Sequence, residues 1–322
     1  MSTTGSRRLN GADGPVSQRR HGFRGLETVE LFAGIGGFRI AAEELGLKTI
    51  WANDWDEDAS TVYKSRFGPS FFQHGDILDH IGDVPTHDIL TAGFPCQPFS
   101  FAGKKKGVAD KRAGTFSAIV GVLDRVNPPT IVLENVRSIL TIADGRHFKH
   151  LLLELAAAGY DVEWRVVNAR DFGLSQNRKR TLIVGHRTGS GPTGQLVLGD
   201  SAEWTRIVAN CRPEEGEVSL RSNSFPTWGW TVGRHYTAIA APVHCDPPET
   251  PLHEILESRV DGRYDFTDST MARLASSTPI GEFIDGVEVL WNQEGGRRMG
   301  YTIFGTSGAS PTLTSSTSRH YE

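Results

Sequence analysis

The chain has 322 residues, 38% hydrophobic and 22% charged, which is enough for one large domain with a substantial core and a smaller one. No apolar run approaches the roughly 18 residues of a membrane span, and the N-terminus lacks the apolar segment of a secretory signal. The three cysteines form no C-x-x-C pair, which argues against a disulfide framework or a metal site and predicts a reducing cytoplasm. The net charge of −4 weighs mildly against nucleic acid as a partner, so any DNA contact must come from local basic clusters.

The predicted elements begin after a tail. Residues 1–24 are rich in Gly, Ser and Arg without a hydrophobic period and are expected to be disordered. From 25 to 188, short β-rich runs alternate with amphipathic stretches. The alternation predicts an α/β fold, with a mostly parallel sheet, helices on both faces and ligands beyond the carboxyl ends of the strands. Strands are predicted at 28–32, 49–52, 88–91, 130–133 and 180–184, and helices at 36–45, 57–67, 116–126 and 148–158.

Beyond residue 188 the composition changes. Gly-rich and Pro-rich stretches follow each other, and helical periodicity persists only near 252–257 and 269–275. We interpret 189–322 as a smaller, loop-rich domain or part of one. Its aromatic segment 225–236 is interpreted as the core of this smaller domain rather than as a platform for DNA.

Three features at the predicted ligand edge favour an adenosine-containing ligand. The turn at 32–37 (Phe-Ala-Gly-Ile-Gly-Gly) precedes a helix N-terminus, which suits an anion, although a plain tight turn or a dinucleotide site has the same pattern. Asp54 ends the second strand, where a carboxylate can accept from both ribose hydroxyls. Asp76 can accept from an adenine amino group. A helix cap at Asp54 or Asp56, or a turn at Asp76, is the alternative for each residue taken singly.

The segment 93–100 (Gly-Phe-Pro-Cys-Gln-Pro-Phe-Ser) directly follows an apolar strand. A lone cysteine is most often a small core residue. Cys96, however, lies between two prolines in a loop at the ligand edge, which is a poor place to fill a core. Its thiolate could act as a nucleophile if neighbouring positive charge lowers the pKa.

Two further segments carry candidate catalytic groups. Glu134 ends another apolar strand at the same edge, where a carboxyl can protonate a heterocycle or hold its amino group; a helix cap is the alternative. In the run 176–180 (Gln-Asn-Arg-Lys-Arg), Arg178 and Arg180 fall on one side of an extended segment. They could bind phosphate or stabilise a thiolate, or form a solvated basic surface.

These motifs, in this order, resemble the cytosine-C5 DNA methyltransferase family over about residues 27–185. The resemblance implies a Rossmann-like S-adenosylmethionine-dependent methyltransferase sheet, with 25–188 as the catalytic, cofactor-binding domain. It implies that 189–322 is a target-recognition domain, here incomplete. The implied activity is methyl transfer from S-adenosylmethionine to carbon 5 of a cytosine flipped out of double-stranded DNA, in a prokaryotic cytoplasm and a restriction-modification setting.

The resemblance also implies roles for individual residues. Cys96 attacks carbon 6 of the cytosine, Glu134 contacts the ring nitrogen and the exocyclic amine, and Arg178 lies beside the base. Asn135 helps to hold the Pro-Cys loop. Supporting roles fall to Gln176 and Arg180. Cofactor contacts are implied for Phe32, Gly34, Ile35, Gly36, Asp54, Trp55, Asp76 and Pro95.

Contacts with DNA are expected from two regions. A basic loop at 100–112 resembles the family's mobile loop, which closes over the flipped base. Target recognition is expected between about 287 and 318, where two adjacent arginines could equally be simple surface charges. The DNA-contacting candidates are Ser100, Lys104, Arg112, Gln293, Arg297, Arg298 and Thr312.

Two sequence blocks of the family are absent. One is an Arg-x-Leu-Thr-x-x-Glu-like helix, and the other is a Gly-Asn-(Ser/Ala)-Val segment that packs beside the glycine turn. We therefore expect a second polypeptide to supply them, with a truncated sequence as the competing explanation. Two other functions stay open: a tRNA cytosine-C5 methyltransferase of the same fold, and a non-catalytic DNA-binding subunit.

Overall fold

The computed structural model describes residues 24–95, 115–188, 214–219, 224–240, 250–265, 267–292 and 302–313. Within these ranges the chain forms a ten-stranded sheet with the order β3-β2-β1-β4-β5-β7-β6-β9-β10-β8 and a three-stranded sheet with the order β11-β12-β13. The strands are β1 (Glu27–Leu31), β2 (Lys48–Asp54), β3 (Phe72–His74), β4 (Ile89–Gly93), β5 (Thr130–Val136), β6 (Tyr160–Asn168), β7 (Lys179–Arg187), β8 (Glu214–Glu217), β9 (Trp228–Val232), β10 (His235–Ile239), β11 (Thr278–Ile284), β12 (Val287–Asn292) and β13 (Thr302–Phe304).

Helices connect the strands of the large sheet. The α-helices are α1 (Gly37–Leu45), α2 (Glu57–Phe67), α3 (Ile77–His80), α4 (Thr115–Val126), α5 (Arg146–Ala157) and α6 (Asp268–Ala275). Short 3-10 helices lie at Ile81–Asp83, Arg137–Leu140, Ala169–Phe172, Leu252–Glu254 and Gly262–Tyr264. None of the helices in the described ranges is long and apolar enough to cross a membrane.

One half of the large sheet is parallel. β1 pairs with β2 and β4, β2 with β3, and β4 with β5, all in the parallel sense. Most of their apolar residues are buried and the rest are partly buried, and α4 and α5 add apolar side chains at helical spacing to the same core. Since the strands run in one direction, the turns after β1, β2, β4 and β5 meet at one edge of the sheet.

The other half is antiparallel, which differs from the mostly parallel sheet expected. β7 runs antiparallel to both β5 and β6, and β9 runs antiparallel to β6. β6 was not predicted, because Glu163 and Arg165 interrupt its apolar pattern. Both side chains are nevertheless buried: the Trp228 indole donates to Glu163 Oε1 at 2.8 Å, and the Arg165 guanidinium lies 4.9 Å from the Trp228 ring centre.

The aromatic segment at 225–236 contributes to the core of the large sheet and not, as expected, to that of the smaller domain. Phe225 and Trp228 are buried, and Phe225 packs edge-on against Phe148 and Trp164. The mixed α/β class expected from the sequence is confirmed. The division into domains at residue 188 stays a prediction. β8, β9 and β10, which lie beyond this residue, extend the large sheet.

The small sheet consists of two antiparallel strand pairs. β12 lies between β11 and β13. A two-residue turn at Asp285 and Gly286 joins β11 to β12, and both residues have positive φ, 52° and 75°. Positive φ at both residues is characteristic of a type I′ turn, which favours Asp-Gly and matches the twist of the two strands of a hairpin.

Candidate active site

The turn between β1 and α1 holds its backbone in the left-handed region. φ is 52° at Phe32, 55° at Gly34 and 87° at Gly36. The Gly36 N–H donates to the Ala33 carbonyl at 2.9 Å, which closes the turn. A Cβ at Gly36 would fall 2.3 Å from the Phe67 ring, so any larger residue would displace the turn from α2.

Asp54 ties the end of β2 to this glycine turn. It is buried, and its two carboxylate oxygens accept from the Gly34 N–H at 2.7 Å and from the Asp56 N–H at 2.9 Å. The cap of α2 is Asp56, whose carboxylate accepts from the Ala59 N–H at 2.8 Å. Asp54 is therefore not the helix cap, and its oxygens keep further lone pairs for a ligand hydroxyl.

Asp76 follows β3 and caps the short helix α3 by accepting a hydrogen bond from a backbone N–H of its first turn.

A supporting residue not predicted from the sequence is Asn53. Its buried side chain donates to the carbonyls of Gln73 and Gly75 at 2.9 and 3.0 Å, and the Gly75 N–H donates to the Asp54 carbonyl at 3.0 Å. An amide inside an apolar strand is a usable signal, because a buried amide needs partners.

Two large apolar side chains are exposed in the turns after β1 and β2. Ile35 is 58% exposed and Trp55 is 73% exposed. Trp55 directly follows Asp54, and its carbonyl oxygen lies 3.1 Å from Nε2 of His74 in β3. An exposed aromatic ring directly after Asp54 in the sequence is suited to a planar heterocycle that carries polar groups.

The loop that leads to Cys96 is held at its start. The Asn135 side chain donates from Nδ2 to the Phe94 carbonyl at 2.8 Å, and its Oδ1 accepts from the Val136 N–H at 2.9 Å. Asn135 is buried, so these bonds are shielded from water. Pro95 is the last residue described before the gap, and Cys96 itself lies outside the described residues.

Glu134 pairs with two arginines, Arg180 in the neighbouring strand β7 and Arg178 just before that strand. Arg180 Nε lies 2.6 Å and Arg178 Nη2 lies 3.9 Å from Glu134 Oε1. Burial and the neighbouring Arg180 lower the pKa of Arg178, and Glu134 partly opposes this. A Cβ at Gly93 would lie 3.7 Å from Glu134 Oε2 and 4.0 Å from the Phe32 carbonyl oxygen. The carboxylate therefore lies beside the glycine turn.

The last described stretch of the chain contacts the segment that supplies these arginines. Gln176 and Ser310 form a parallel bridge, the Asn177 N–H donates to the Ser310 carbonyl at 2.8 Å, and the Ser310 N–H donates to the Ser175 carbonyl at 2.8 Å. The Thr312 hydroxyl donates to the Asn177 carbonyl at 2.7 Å. Gln176 and Thr312, which are far apart in sequence, thus share one contact region.

The described candidates for cofactor binding and catalysis lie at the edge where the parallel strands end, together with the adjoining arginine segment. Their individual roles stay predictions. No group of three or more His, Cys, Asp or Glu in the described ranges is placed to hold a metal ion. The candidates that lie outside the described residues are Cys96, Ser100, Lys104, Arg112, Gln293, Arg297 and Arg298.

A buried carboxyl that was not predicted lies in β1, directly before the glycine turn. Glu30 is 1% exposed and accepts from the Tyr63 hydroxyl at 3.3 Å; Arg39 Nη1 donates to the same hydroxyl at 3.3 Å. Burial raises the pKa of Glu30 to about 7, although hydrogen bonds from Tyr63 and from the backbone of Arg39 and Phe38 lower it. A glutamate within an apolar strand is the sequence signal for such a group.

The Glu30→Gln variant is expected to remove a pH-dependent cost to stability. Because burial raises this pKa from 4.5 to about 7, the contribution of protonated Glu30 is complete below pH 4.5 and is lost as the pH rises through 7. The full difference is at most ~3 kcal/mol. Urea unfolding near pH 5 and near pH 8 should therefore show the variant gaining stability over the wild type at the higher pH.

The control for this experiment is Glu27→Gln, which removes a more exposed carboxyl from the same strand. It should change stability by a similar, small amount at both pH values. A Glu30→Gln variant whose difference from the wild type is the same at both pH values would contradict the prediction.

Comparison with known proteins identifies a family. The sequence model of the protein family described as C-5 cytosine-specific DNA methylase matches residues 26–217. The Type II methyltransferase M.HaeII of Haemophilus aegyptius is 46% identical over 160 residues, which are 49% of this chain and 50% of that protein. M.HhaI of Haemophilus parahaemolyticus, also a Type II methyltransferase, is 37% identical over 161 residues, or 50% of this chain and 49% of that protein. The matched part thus spans about half the length of each relative.

A solved structure with a similar fold is that of a DNMT2 mutant from Spodoptera frugiperda. It matches 78% of this chain and 65% of that chain with a TM-score of 0.50 and 21% identity, which supports the fold alone. The family matched by sequence consists of S-adenosylmethionine-dependent methyltransferases. Because its model covers more than half of the sequence, the chain belongs to the C-5 cytosine-specific DNA methylase family.

Proposed function

We propose that this chain is the catalytic part of a DNA cytosine-C5 methyltransferase, which moves a methyl group from S-adenosylmethionine to carbon 5 of a cytosine flipped out of the duplex. The position of Glu134 is the observation that carries the proposal. Its Oε2 lies 3.7 Å from where a Cβ of Gly93 would be, and this point is 4.0 Å from the Phe32 carbonyl oxygen. A candidate acid, the strand that leads to Cys96 and a glycine turn therefore share one small region.

The residues around the turn fit S-adenosylmethionine. Asp54 and Asp76 offer carboxylate oxygens to the ribose hydroxyls and to the adenine amino group, and the exposed Trp55 offers a face to adenine. When bound, the cofactor supplies an electrophilic methyl group on its sulfonium. Further contacts are proposed for Phe32, Gly34, Ile35, Gly36 and Pro95.

The proposed chemistry begins at Cys96. Addition of its thiolate to carbon 6 turns carbon 5 into a nucleophile that can accept the methyl group. Glu134 contacts the ring nitrogen and the exocyclic amine, which stabilises the charge that develops on the ring. A base, such as water, then removes the proton from carbon 5, and β-elimination restores the double bond between carbons 5 and 6 and releases Cys96.

The two arginines orient the carboxylate before the base arrives. Arg180 holds Glu134 Oε1 at 2.6 Å, whereas Arg178 is 3.9 Å away and its side chain is partly exposed. Arg178 is therefore the arginine proposed to lie by the reacting base. Asn135 holds the start of the Pro-Cys loop through the Phe94 carbonyl, which limits the positions open to the thiolate.

Contacts with DNA complete the proposal. The base must leave the stack at a cost of a few kcal/mol, and phosphate contacts can offset this cost. Thr312 is placed beside the arginine segment by its bond to the Asn177 carbonyl, which supports a contact near the flipped base. The other proposed contacts are Ser100, Lys104, Arg112, Gln293, Arg297 and Arg298.

Mass spectrometry of nucleosides tests the activity directly. The purified chain, in excess over substrate, should convert cytosine to 5-methylcytosine in mixed-sequence duplex DNA and leave tRNA unmodified when S-adenosylmethionine is present. Methylated tRNA with unmodified DNA would favour the RNA enzyme instead. Retention of labelled S-adenosylmethionine and DNA without any product would favour the non-catalytic subunit.

We also propose that a second polypeptide is needed for full activity. The exposed side chain of Ile35 supports this, because the family segment expected to pack beside the glycine turn would cover such a surface. The chain alone should then turn over far more slowly than the median enzyme rate of about 10 per second. A purified chain that methylates DNA at an ordinary rate without added protein would overturn this part of the proposal.

A further inference from the structure

The turn at Asp285 and Gly286, here called the hairpin tip, is held against the large sheet by two basic side chains. Arg170 Nη1 donates to the Asp285 carbonyl at 2.5 Å, and Lys179 Nζ lies 2.7 Å from Asp285 Oδ2. The hydrogen bond and charge of Lys179, with the charges of Arg170 and Arg137, lower the pKa of Asp285. The basic side chains therefore favour the ionised form of this carboxylate.

The tip is also fitted to this place by shape. A Cβ at Gly286 would fall 1.7 Å from Arg170 Nη1, in a residue whose φ of 75° already favours glycine. Behind it, the Ala309 N–H donates to the Gly286 carbonyl at 2.9 Å, and a Cβ at Gly308 would lie 2.5 Å from the same oxygen. The guanidinium and the chain at 308–309 therefore both lie in close contact with the tip.

Lys179 connects this contact to the candidate active site. It begins β7 between Arg178 and Arg180, and side chains alternate along an extended segment. The two arginines reach Glu134, while Lys179 reaches the hairpin tip. The stretch 178–180 therefore forms ion pairs with Glu134 through its two arginines and with the small sheet through Lys179.

We propose that Lys179 and Arg170 are positioning residues that set the small sheet, β11–β13, in register with the Glu134 site, so that both parts engage one DNA duplex together. The inference rests on the proposed function, because β12 begins directly after the hairpin tip and lies in the region expected to recognise DNA. The chain that follows the small sheet makes a second contact: Ser310 forms a parallel bridge with Gln176, and the Thr312 hydroxyl donates to the Asn177 carbonyl. Together, the two contacts fix the orientation of the small sheet relative to the large sheet, whereas one contact alone would leave it free to rotate.

Charge reversal tests the proposed role of Lys179. Lys179→Asp and Asp285→Lys should each raise KM for DNA about 5-fold and change kcat less than about 2-fold, since a partly exposed ion pair contributes modestly. The double variant Lys179→Asp with Asp285→Lys should return KM to within about 2-fold of the wild type. Lys48→Asp, which reverses one charge of the exposed pair with Glu27 in β1 and β2, is the matched control and should leave KM for DNA nearly unchanged.

A readout independent of activity separates this inference from the proposed function. Hydrogen exchange of the hairpin amides between residues 284 and 289 should speed up in each single variant and return to the wild-type rate in the double variant. Exchange is measured without DNA or cofactor, so it tests the contact of Lys179 and Arg170 with the hairpin tip even where the wild-type chain transfers no methyl group. A fall in kcat as large as the rise in KM for DNA, or no recovery in the double variant, would overturn the inference.

Discussion

The Cys96→Ser variant is expected to lose methyl transfer to DNA by at least about 1,000-fold, because the proposed mechanism cannot start without addition at carbon 6. A serine hydroxyl has almost the same size but is not ionised near neutral pH, whereas a cysteine thiol can be ionised by nearby positive charge. S-adenosylmethionine binding should stay within about 3-fold of the wild type, since Cys96 does not belong to the proposed cofactor contacts. Single-turnover label transfer and calorimetric cofactor binding measure the two quantities.

The two other cysteines provide matched controls for this substitution. Cys211→Ser and Cys245→Ser make the same chemical change elsewhere in the chain and should keep most of the activity. DNA that carries 5-fluorocytosine adds a structural readout, because fluorine cannot leave carbon 5 as a proton does and the adduct should persist. A wild-type chain that methylates DNA but forms no such adduct would refute covalent catalysis by Cys96.

Much of the cofactor side of the site could be predicted because each part follows an apolar strand. The ends of β1, β2, β4 and β5 were located within a few residues, and parallel strands bring such ends to one edge. The sequence left open whether Asp54 or Asp56 caps α2. The structure resolves this, because Asp56 bonds to the helix while Asp54 bonds to Gly34.

The antiparallel half could not be predicted by the same reasoning. In β6, Glu163 and Arg165 look like exposed positions, yet both are buried next to Trp228, which is 65 residues further along than Glu163. A charged residue enters a core only when its partners are present, and the partners here come from a distant strand. Hydrophobic periodicity carries no information about such partners, so a strand with two charged residues in its apolar pattern escapes prediction.

The hairpin tip illustrates the same limit at the site. Lys179 and Asp285 are 106 residues apart, and nothing in either local sequence indicates the other. The run at 176–180 could be a catalytic segment or a solvated basic surface by sequence alone. In the structure its arginines reach Glu134 and its lysine reaches the tip, so none of these three charges is merely a solvated surface group.

The Glu134→Gln variant is expected to lower kcat about 100- to 1,000-fold, the usual effect of losing one group that stabilises a developing charge. Glutamine keeps the shape and one acceptor oxygen, so KM for DNA should change less than about 3-fold. It loses the negative charge that holds Arg180 at 2.6 Å and cannot share a proton with the ring nitrogen of cytosine. Single-turnover methyl transfer, compared with equilibrium DNA binding, separates the two effects.

Glu217→Gln is the matched control, because Glu217 pairs with Arg234 at 3.7 Å in an exposed part of the same sheet. It should leave kcat and KM unchanged, which excludes a general effect of removing one negative charge. The 5-fluorocytosine adduct adds a discriminating measurement, since Glu134 is proposed to assist addition at carbon 6. If Glu134→Gln forms the adduct as fast as the wild type, the carboxyl does not act in this step, and its pairing with Arg178 and Arg180 serves only to hold the end of β5.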